Sequence, residues 1–588
     1  MAQYEAGQLE SGEDCCRTVL SKAPNCPQAL HLMGLIMHQT GRFELAVESL
    51  REANAADPTD PDILTSLAAS CLALGDVQQA MLCYQSVVEL SPASASAWAC
   101  LGLVQDRLDR FEEAAQSFRR AVSLNPEDPE FVRRLAAALC KSGALQEALG
   151  LLDKLLARNP GDFETYKDLG FVLTEIGQPE RAVAMLQQAL SIIPNSGPTL
   201  CNLGHFFFRN GDLRSAADSY RCAIERDPEL VDAHRELGLV LYELGEFDES
   251  SECFRRVQEM EPASAAATFQ LSRIHLLQGD FSRGWQEYGA RWTSVGQRER
   301  REFSAPQWKG EPLGHARILL HAEQGLGDTM QFVRYVPFVS AMGAEILLEV
   351  QPELHRLLSG FNGAKQVLRR GEPLPDHKWH CPLLSLPLAF GTKHDSIPTN
   401  VPYLHADPIN VSNWQRRLGG DSVRVGLCWS GNPKHPRDFW RSIPLELFAP
   451  LMRIENATFY SLQKGAAAEQ IARLKSKVEI DDLGPELTDF EDTAAVIANL
   501  DVVISVDTSI AHLAGGMGKP VWVLLHRAPD WRWLLERETS PWYPTARLFR
   551  QRTPGKWKEV LSRVESELRQ LASSLPRAVS TESSAGTQ

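Results

Sequence analysis

The sequence DVVISVDTSIAHLAGGMGKPVWVLL, residues 501–525, decides the fold of the carboxy-terminal half of the chain. Two runs rich in β-branched residues, 502–506 and 521–525, have the length and composition of strands that are buried on both faces of a parallel sheet. Gly518 and Pro520 end the helix that is predicted between them. The segment is therefore predicted to form a strand, a polar turn, a short helix and a second strand.

The polar turn of this segment is a candidate ligand site. Asp507, Thr508 and Ser509 follow the first strand, at the carboxyl end where open α/β sheets place ligands. They also begin the helix, whose free N–H groups favour a phosphate, and His512 lies one turn further along. An Asp-Thr-Ser run is also typical of an ordinary helix cap, and a helical histidine is more often packed or solvated than a ligand. The residues alone leave both interpretations open.

The motif in this turn resembles a known family. Its pattern S-x-D-T-(G/S)-x-x-H-x-A, followed by G-x-P-V, is similar to the nucleotide-sugar diphosphate motif of the bacterial heptosyltransferase-like glycosyltransferases, a GT-B family. The resemblance implies that Asp507, Thr508, Ser509 and His512 bind a nucleotide-sugar donor. Ser509 stands where that family usually has glycine, which would narrow the approach of the backbone to a pyrophosphate.

A cationic loop precedes this motif in the same predicted lobe. The loop 430–442 follows a predicted strand and carries Lys434, His435, Arg437 and Arg441. Cations at the carboxyl end of a strand suit a leaving diphosphate, although a charged loop is more often simply solvated. We select Lys434 and Arg441 as the donor-binding candidates of this loop.

An earlier strand runs into a glycine-rich turn that contains Gly325, Gly327 and Asp328. The glycines allow a sharp bend and the close approach of a ligand. A first strand followed by G-x-G-D resembles the start of the heptosyltransferase-like enzymes, in which the aspartate of that turn is thought to be the catalytic base. The resemblance makes Asp328 the candidate base, with Glu323 and His321 as reserve candidates. An aspartate that only caps a helix is the alternative.

The amino-terminal half has a period of 34 residues. Prolines recur at positions 24, 58, 92, 126, 160, 194, 228 and 262, and glycines recur in the same register, including Gly7, with Asp109 as the single exception. Small residues recur with the same period at two further positions of the repeat, where paired helices are expected to approach closely. This pattern resembles tetratricopeptide repeats, with seven full repeats over 25–262, a partial repeat before them and a divergent one after them.

Stacked helix pairs of this kind form a concave groove that binds peptides. In each repeat, the residue two positions before the first of these small residues is expected to face the groove. Among these residues we select Arg134, Asp168, Asn202 and Glu236. O-GlcNAc transferase has a ladder of asparagines at this phase, which only Asn202 matches here. For any single position, a solvated inner wall is the simpler interpretation.

Composition sets further limits on function. With a net charge of −15, the chain lacks the basic character that binding to nucleic acid requires. Its amino terminus has no apolar h-region and no apolar run approaches the length of a membrane helix, so we expect neither a signal peptide nor a membrane span. The twelve cysteines form no C-x-x-C pair, which favours a reducing, cytoplasmic location.

Length and composition shifts predict a multidomain chain, in which an all-α tetratricopeptide solenoid precedes an α/β GT-B fold of two Rossmann-like lobes. The predicted parts are a repeat domain at 1–292, a linker at 293–315, an acceptor-side lobe at 316–406, a nucleotide-sugar lobe at 407–573 and a disordered tail at 574–588.

The whole layout resembles bacterial tetratricopeptide proteins whose second half is a heptosyltransferase-like glycosyltransferase. The resemblance implies metal-independent transfer of a sugar from a nucleotide-sugar to a polypeptide held by the groove, with no cofactor. No D-x-D pair stands in a metal-binding context, which agrees with this mechanism. The alternative is a non-catalytic scaffold for protein–protein interaction that carries a degenerate GT-B domain.

Overall fold

The structure is a computed structural model that describes residues 9–294, 301–420, 422–435, 437–474 and 479–574. Gly7, residues 295–300 of the predicted linker and residues 575–588 of the predicted tail lie outside the described residues. The chain divides into two units, Met1–Ala233 and His234–Gln588. The predicted domain boundaries stay a prediction.

The first unit is built from helices that follow one another at short turns. Its helices are Leu9–Lys22, Pro27–Gln39, Phe43–Ala56, Pro61–Ala73, Val77–Leu90, Ala95–Arg107, Phe111–Leu124, Pro129–Lys141, Leu145–Arg158, Phe163–Ile176, Pro179–Ile192, Gly197–Arg209 and Leu213–Arg226. The next helix, Val231–Leu244, spans the boundary between the units.

A residue in the left-handed conformation lies at the turn inside each helix pair. The glycines of the predicted turn phase in this unit, from Gly41 to Gly211, have φ between 75° and 84°. Asp109, the predicted exception, has φ of 57°. Glycine adopts this conformation at the lowest cost, which explains its recurrence there. The predicted turn phase is confirmed.

The small residues of the repeat lie where paired helices touch. A Cβ added to Gly102 would lie 2.9 Å from the Phe118 ring, and one added to Gly204 would lie 2.8 Å from the Tyr220 ring. Both rings are fully buried. Side chains larger than hydrogen would therefore push the helices apart, which confirms the predicted close approach.

The second unit begins with the last helices of the array, namely Phe247–Met260, Ala265–Gln278, Phe281–Glu287 and the 3₁₀ turn Tyr288–Trp292. Trp285 and Tyr288 are buried, and the Trp285 ring meets the Trp531 ring edge to face at 5.1 Å. These aromatic residues therefore form a packing surface on the α/β part of the unit.

The first lobe contains a parallel sheet of four strands in the order β3-β2-β1-β4. The strands are β1 (Arg317–His321), β2 (Glu345–Val350), β3 (Gln366–Arg369) and β4 (Trp379–Pro382). The accompanying helices are Leu326–Phe332, Val336–Ala341, Pro352–Leu358 and Leu386–Ala389. The chain runs outward from β1 to β3 and then returns to the other side of β1, so the topological switch point lies between β1 and β4.

The second lobe contains a parallel sheet of six strands in the order β10-β9-β8-β5-β6-β7. The strands are β5 (Val423–Cys428), β6 (Ala457–Ser461), β7 (Asp481–Asp482), β8 (Val502–Val506), β9 (Val521–Leu525) and β10 (Ala546–Arg550). The helices are Pro408–Leu418, Asp438–Arg441, Glu469–Leu474, Phe490–Ala498, Ser509–Gly516 and Trp557–Ser574. The switch point here lies between β5 and β8.

The strand–turn–helix–strand predicted for 501–525 is confirmed as β8, the helix Ser509–Gly516 and β9. Every residue of β8 is buried, as expected for a central strand covered on both faces. The chain is thus an all-helical repeat array followed by an α/β part with parallel sheets. In the part of the chain that the structure describes, no helix has the length and apolarity needed to cross a bilayer.

Candidate functional site

The two lobes bring two strand-to-helix turns into contact. One follows β1 and contains Gly327, and the other follows β8 and leads to His512. A Cβ added to Gly327 would lie 2.7 Å from Cδ2 of His512. Because any larger residue at position 327 would collide with the imidazole, glycine sets how closely the turns meet. The structure therefore brings the turn of the candidate base and the candidate donor turn together in one cleft.

Asp328 has partners on both lobes. Its Oδ2 accepts a hydrogen bond from the Gly325 N–H at 2.8 Å, so it also fills the role of a helix cap. Its other oxygen forms an ion pair with Arg532 of the second lobe. Burial raises the pKa of Asp328, against the opposing charge of Arg532. A carboxylate with a raised pKa is a better proton acceptor than a free one, which suits a general base.

Arg532 is a functional candidate that the sequence reasoning missed. It also pairs with Asp530 at 2.8 Å, and its Nε donates to Oε1 of Gln331 at 2.6 Å. Although burial opposes it, the charges of Asp530 and Asp328 raise the pKa of Arg532. The sequence signal that could have identified Arg532 is its place within the aromatic run 529–533. An arginine that such a run buries requires anions beside its guanidinium.

Asp507 lies at the tip of β8 with its side chain largely buried. Burial, reinforced by the neighbouring Asp530 carboxylate, raises the pKa of Asp507 to about 6. The His512 ring approaches this carboxyl group, with 4.0 Å between Nε2 and Oδ1 of Asp507. Arg441 approaches the same residue, and its Nη1 donates to the Asp507 carbonyl oxygen at 3.1 Å.

His512 is held as a neutral imidazole. Its Nδ1 lies 2.9 Å from the Tyr543 hydroxyl, and its ring stacks on Trp533 with 5.6 Å between centroids. Burial, together with the charge of Arg532, lowers the pKa of His512 to about 3. When the Tyr543 hydroxyl donates to Nδ1, the ring proton lies on Nε2, the nitrogen near Asp507.

Thr508 and Ser509 begin the helix Ser509–Gly516. The Thr508 side chain makes no capping hydrogen bond to this helix. Its Oγ1 instead lies 3.0 Å from Oγ of Ser505 and 3.7 Å from Sγ of Cys428. The helix start is therefore not closed by Thr508, which leaves its first N–H groups to solvent or a ligand.

The cationic loop after β5 contributes fewer free charges than its sequence indicates. Arg441 reaches the Asp507 turn and also pairs with Asp438 at 3.1 Å, whereas Lys434 is exposed at the surface. Arg437, which the sequence groups with them, forms a buried ion pair with Glu243, with 2.8 Å between Nε and Oε1. Arg437 is therefore less available to a bound diphosphate than its place in the loop indicates, because Glu243 already balances its charge.

The first lobe has a cavity of about 430 Å³ at its switch point, between the carboxyl ends of β1 and β4. The reserve candidates His321 and Glu323 line it. Burial, together with His380 and Arg301, lowers the pKa of His321 to about 3. Glu323 is neutralised by Arg291 at 3.0 Å. His321 lacks the near-neutral pKa that favours a general base, whereas burial raises the pKa of Glu323 against the charge of Arg291, as burial does for Asp328.

The tryptophan-rich loops 529–533 and 540–544 are packed rather than open. Trp531, Trp533, Trp542 and Tyr543 are fully buried. These side chains therefore belong to the packed interior and do not form the wall of an open pocket.

The candidate groove residues engage neighbours within the repeats. Arg134 pairs with Glu130 at 2.7 Å, and Asn202 donates to the Lys167 carbonyl oxygen at 3.1 Å. Burial, against the charge of Lys167, raises the pKa of Asp168 to about 6. In the second unit, Glu236 lies 3.5 Å from Arg235. Their role in peptide binding stays a prediction.

No group of three or more His, Cys, Asp or Glu residues with the arrangement of a metal site occurs in the described ranges.

Three family models match the chain. Cilia and flagella-associated protein 70 C-terminal domain matches residues 1–196, and Tetratricopeptide repeat matches 201–250 and 239–294. Glycosyltransferase family 9 (heptosyltransferase) matches 455–555, which includes the turn after β8.

Curated relatives match parts of the chain. Protein FlbA of Caulobacter vibrioides is 28% identical over 342 residues, which cover 53% of this chain and 56% of that protein. Protein O-mannosyl-transferase TMTC1 of Homo sapiens is 22% identical over 129 residues, which cover 22% of this chain and 14% of that protein. The chain thus spans about half the length of FlbA and a smaller share of TMTC1.

Solved structures match the repeats. A tetratricopeptide repeat protein from Parabacteroides merdae is 19% identical, with a TM-score of 0.34, over 41% of this chain and 95% of that one. YrrB, a tetratricopeptide protein with an unusual peptide-binding site, is 20% identical, with a TM-score of 0.25, over 32% of this chain and 96% of that one.

Proposed function

We propose that this chain, which combines tetratricopeptide repeats with a carboxy-terminal glycosyltransferase family 9 domain, transfers a sugar from a nucleotide-sugar to a hydroxyl group of a polypeptide. The observation that carries the proposal is the contact between the Asp328 turn and the His512 turn at the carboxyl ends of two parallel sheets. A base on one lobe and an anion-binding helix start on the other are the two parts that such a transfer needs.

The donor binds the second lobe in this proposal. Its diphosphate lies on the helix start at Thr508 and Ser509, where backbone N–H groups and the helix dipole favour an anion. His512 donates from Nε2, and Arg441 and the exposed Lys434 supply positive charge. These side chains neutralise the leaving diphosphate in place of a metal ion.

The acceptor hydroxyl approaches from the first lobe. Asp328 accepts its proton while the hydroxyl oxygen bonds to the anomeric carbon of the sugar and the bond from that carbon to the diphosphate breaks. The cavity between β1 and β4 receives residues beside the modified side chain. The repeat groove, including Arg134, Asp168, Asn202 and Glu236, holds the rest of the polypeptide.

Donor binding tests this proposal directly. Calorimetry with UDP-, GDP-, ADP- and CMP-sugars compares the wild-type chain with a variant carrying Asp507→Ala and His512→Ala, and with the control Glu455→Ala at an exposed position of the same lobe. We expect one nucleotide class to bind the wild type and the control, with or without EDTA, and not the double variant. If no sugar nucleotide binds the wild type, the non-catalytic scaffold is the better description.

A further inference from the structure

Two side chains of the helix Val231–Leu244 reach the donor loop 430–442. Glu243, which is 9% exposed, forms an ion pair with Arg437 of that loop. The Arg437 guanidinium also lies over the Tyr242 ring, 4.7 Å from its centroid. All three residues belong to the second unit, so the last repeat helices pack directly against the donor lobe.

Tyr242 and Arg437 also hold a second segment of the donor lobe, the one that follows β9. The Tyr242 hydroxyl donates to the carbonyl oxygen of Pro529 at 3.2 Å. Nη2 of Arg437 donates to the carbonyl oxygen of Ala528 at 2.9 Å. Arg273 covers the Tyr242 ring as well, at 4.8 Å. Tyr242 contacts both loops directly, and Glu243 acts on both of them through Arg437.

Each of these loops delivers a charge to the cleft. Arg441 lies four residues after Arg437 and donates to the Asp507 carbonyl oxygen. Asp530 directly follows Pro529 and pairs with Arg532, the cation that faces Asp328. A displacement of these loops thus moves the cationic side chains on which both the donor and the candidate base depend.

We propose that Tyr242 and Glu243 are positioning residues of the nucleotide-sugar site. Neither contacts the donor, but donor affinity depends on both because they fix the loops that carry Arg441 and Arg532. The last repeats therefore belong to the donor site as well as to the polypeptide groove. This inference rests on the proposed function, since it concerns the same donor site.

The physical reason is the cost of a buried charge. Without the Glu243 carboxylate, the Arg437 guanidinium is buried without its counter-ion, and it regains hydration only if the loop moves outward. A merely structural ion pair would change the stability of the chain. A positioning pair also changes donor affinity and the order of the two loops, which provides separate measurements.

The test uses the full-length chain and the nucleotide-sugar of the UDP, GDP, ADP and CMP panel that the wild type binds. Calorimetry gives the donor Kd, and hydrogen exchange reports the loops 430–442 and 526–533. We expect Glu243→Gln to weaken donor binding about tenfold and to speed exchange in both loops. Glu243→Asp, which keeps the charge, retains most of the affinity. Glu252→Gln, at an exposed glutamate of the next helix, changes neither measurement.

Wild-type affinity and exchange in Glu243→Gln would overturn the inference while leaving the proposed function intact. Absence of donor binding by the wild type would overturn both. If Glu243→Gln does not fold, Tyr242→Phe decides, since it keeps the ring under Arg437 and removes only the hydrogen bond to Pro529. We expect about a threefold loss of donor affinity for this variant, and unchanged affinity would overturn the inference.

Discussion

The turns after β1 and β8 meet in one cleft but balance their charges in opposite ways. After β1, the carboxylate of Asp328 is paired with Arg532 from the other lobe. After β8, Asp507 lies 4.0 Å from Nε2 of His512, an imidazole that is neutral and does not balance its charge. One turn is therefore neutralised by the protein itself, whereas the other keeps a carboxyl group that titrates near pH 6.

This difference separates two tasks. The turn after β1 is preorganised, because its base and counter-ion are already in place and only a substrate proton is needed. The turn after β8 has an open helix start and hydrogen-bond donors that a ligand's negative charge would complete. Substitutions in the first turn should thus affect the rate of transfer, and substitutions in the second should affect donor affinity.

The largest expected effect comes from a substitution in the turn after β1. Asp328→Asn removes the proton acceptor but keeps the shape of the side chain, so the transfer rate should fall by about 10²- to 10⁴-fold. Donor affinity should change little, because the second turn is untouched. The wild-type rate should also rise with pH through the raised pKa of Asp328, as the carboxylate forms. Transfer assays across pH and donor calorimetry measure both quantities.

The matched control is Asp395→Asn, an exposed aspartate of the same lobe. It should transfer at the wild-type rate. Unchanged transfer by Asp328→Asn would show that the base lies elsewhere, and it would also remove the division of tasks between the two turns.

The next largest effect comes from a substitution at the turn after β8. His512→Ala deletes a hydrogen bond to a charged diphosphate, worth about 1.5–3 kcal/mol, so donor affinity should fall about 10- to 100-fold. Tyr543→Phe leaves the imidazole in place and removes only the partner of Nδ1, so its effect should be smaller. Calorimetry on both variants shows which of them loses more donor affinity. A larger loss for Tyr543→Phe would contradict the assigned role of His512.

The strands and turns of the cleft could be predicted because their signals are local. The segment 501–525 carries its buried strands, its helix stop and its motif within 25 residues. The repeat register was equally readable, down to Asp109 at a left-handed position. Such features depend on near neighbours in the chain, which the sequence shows directly.

The cross-lobe partners could not be predicted because they are distant in sequence. Arg532 meets Asp328 across 204 residues, and nothing local to either residue specifies the other. Arg437 is a second example. Its loop indicates a free cation in the sequence, but Glu243, which is distant in the chain, supplies its counter-ion. Side-chain pairing of this kind follows from how the lobes pack, which is a tertiary property.

A third substitution tests how closely the two turns must meet. Gly327→Ala places a methyl group 2.7 Å from Cδ2 of His512, so the chain should lose about 1–3 kcal/mol of unfolding free energy. Gly325→Ala should cost less, because its φ of −69° suits alanine and its Cβ meets only an Asp328 oxygen at 3.1 Å. Gly289→Ala, which meets nothing within 4 Å, is the neutral control. Urea denaturation ranks the three variants, and equal losses for Gly327→Ala and Gly289→Ala would contradict the close contact.

The smallest expected effect is a pH dependence that belongs to the second turn. The ionised carboxylate of Asp507 repels a diphosphate, whereas the protonated form can donate to it. With a pKa of about 6 in the folded chain, the protonated fraction falls between pH 5 and pH 7, so donor affinity should fall by at most about tenfold over this interval.

Two titratable neighbours of Asp507, Asp530 and His512, titrate below that interval. Although burial opposes the shift, the charge and hydrogen bonds of Arg532 lower the pKa of Asp530 to about 2, and the pKa of His512 is about 3. Asp507→Asn should therefore bind the same nucleotide-sugar with an affinity that no longer changes between pH 5 and pH 7. A nucleotide-sugar is the right probe, because its diphosphate stays ionised throughout. If the wild type and Asp507→Asn share one pH profile, Asp507 does not lie beside the diphosphate, and the helix start must bind it from the side of Arg441.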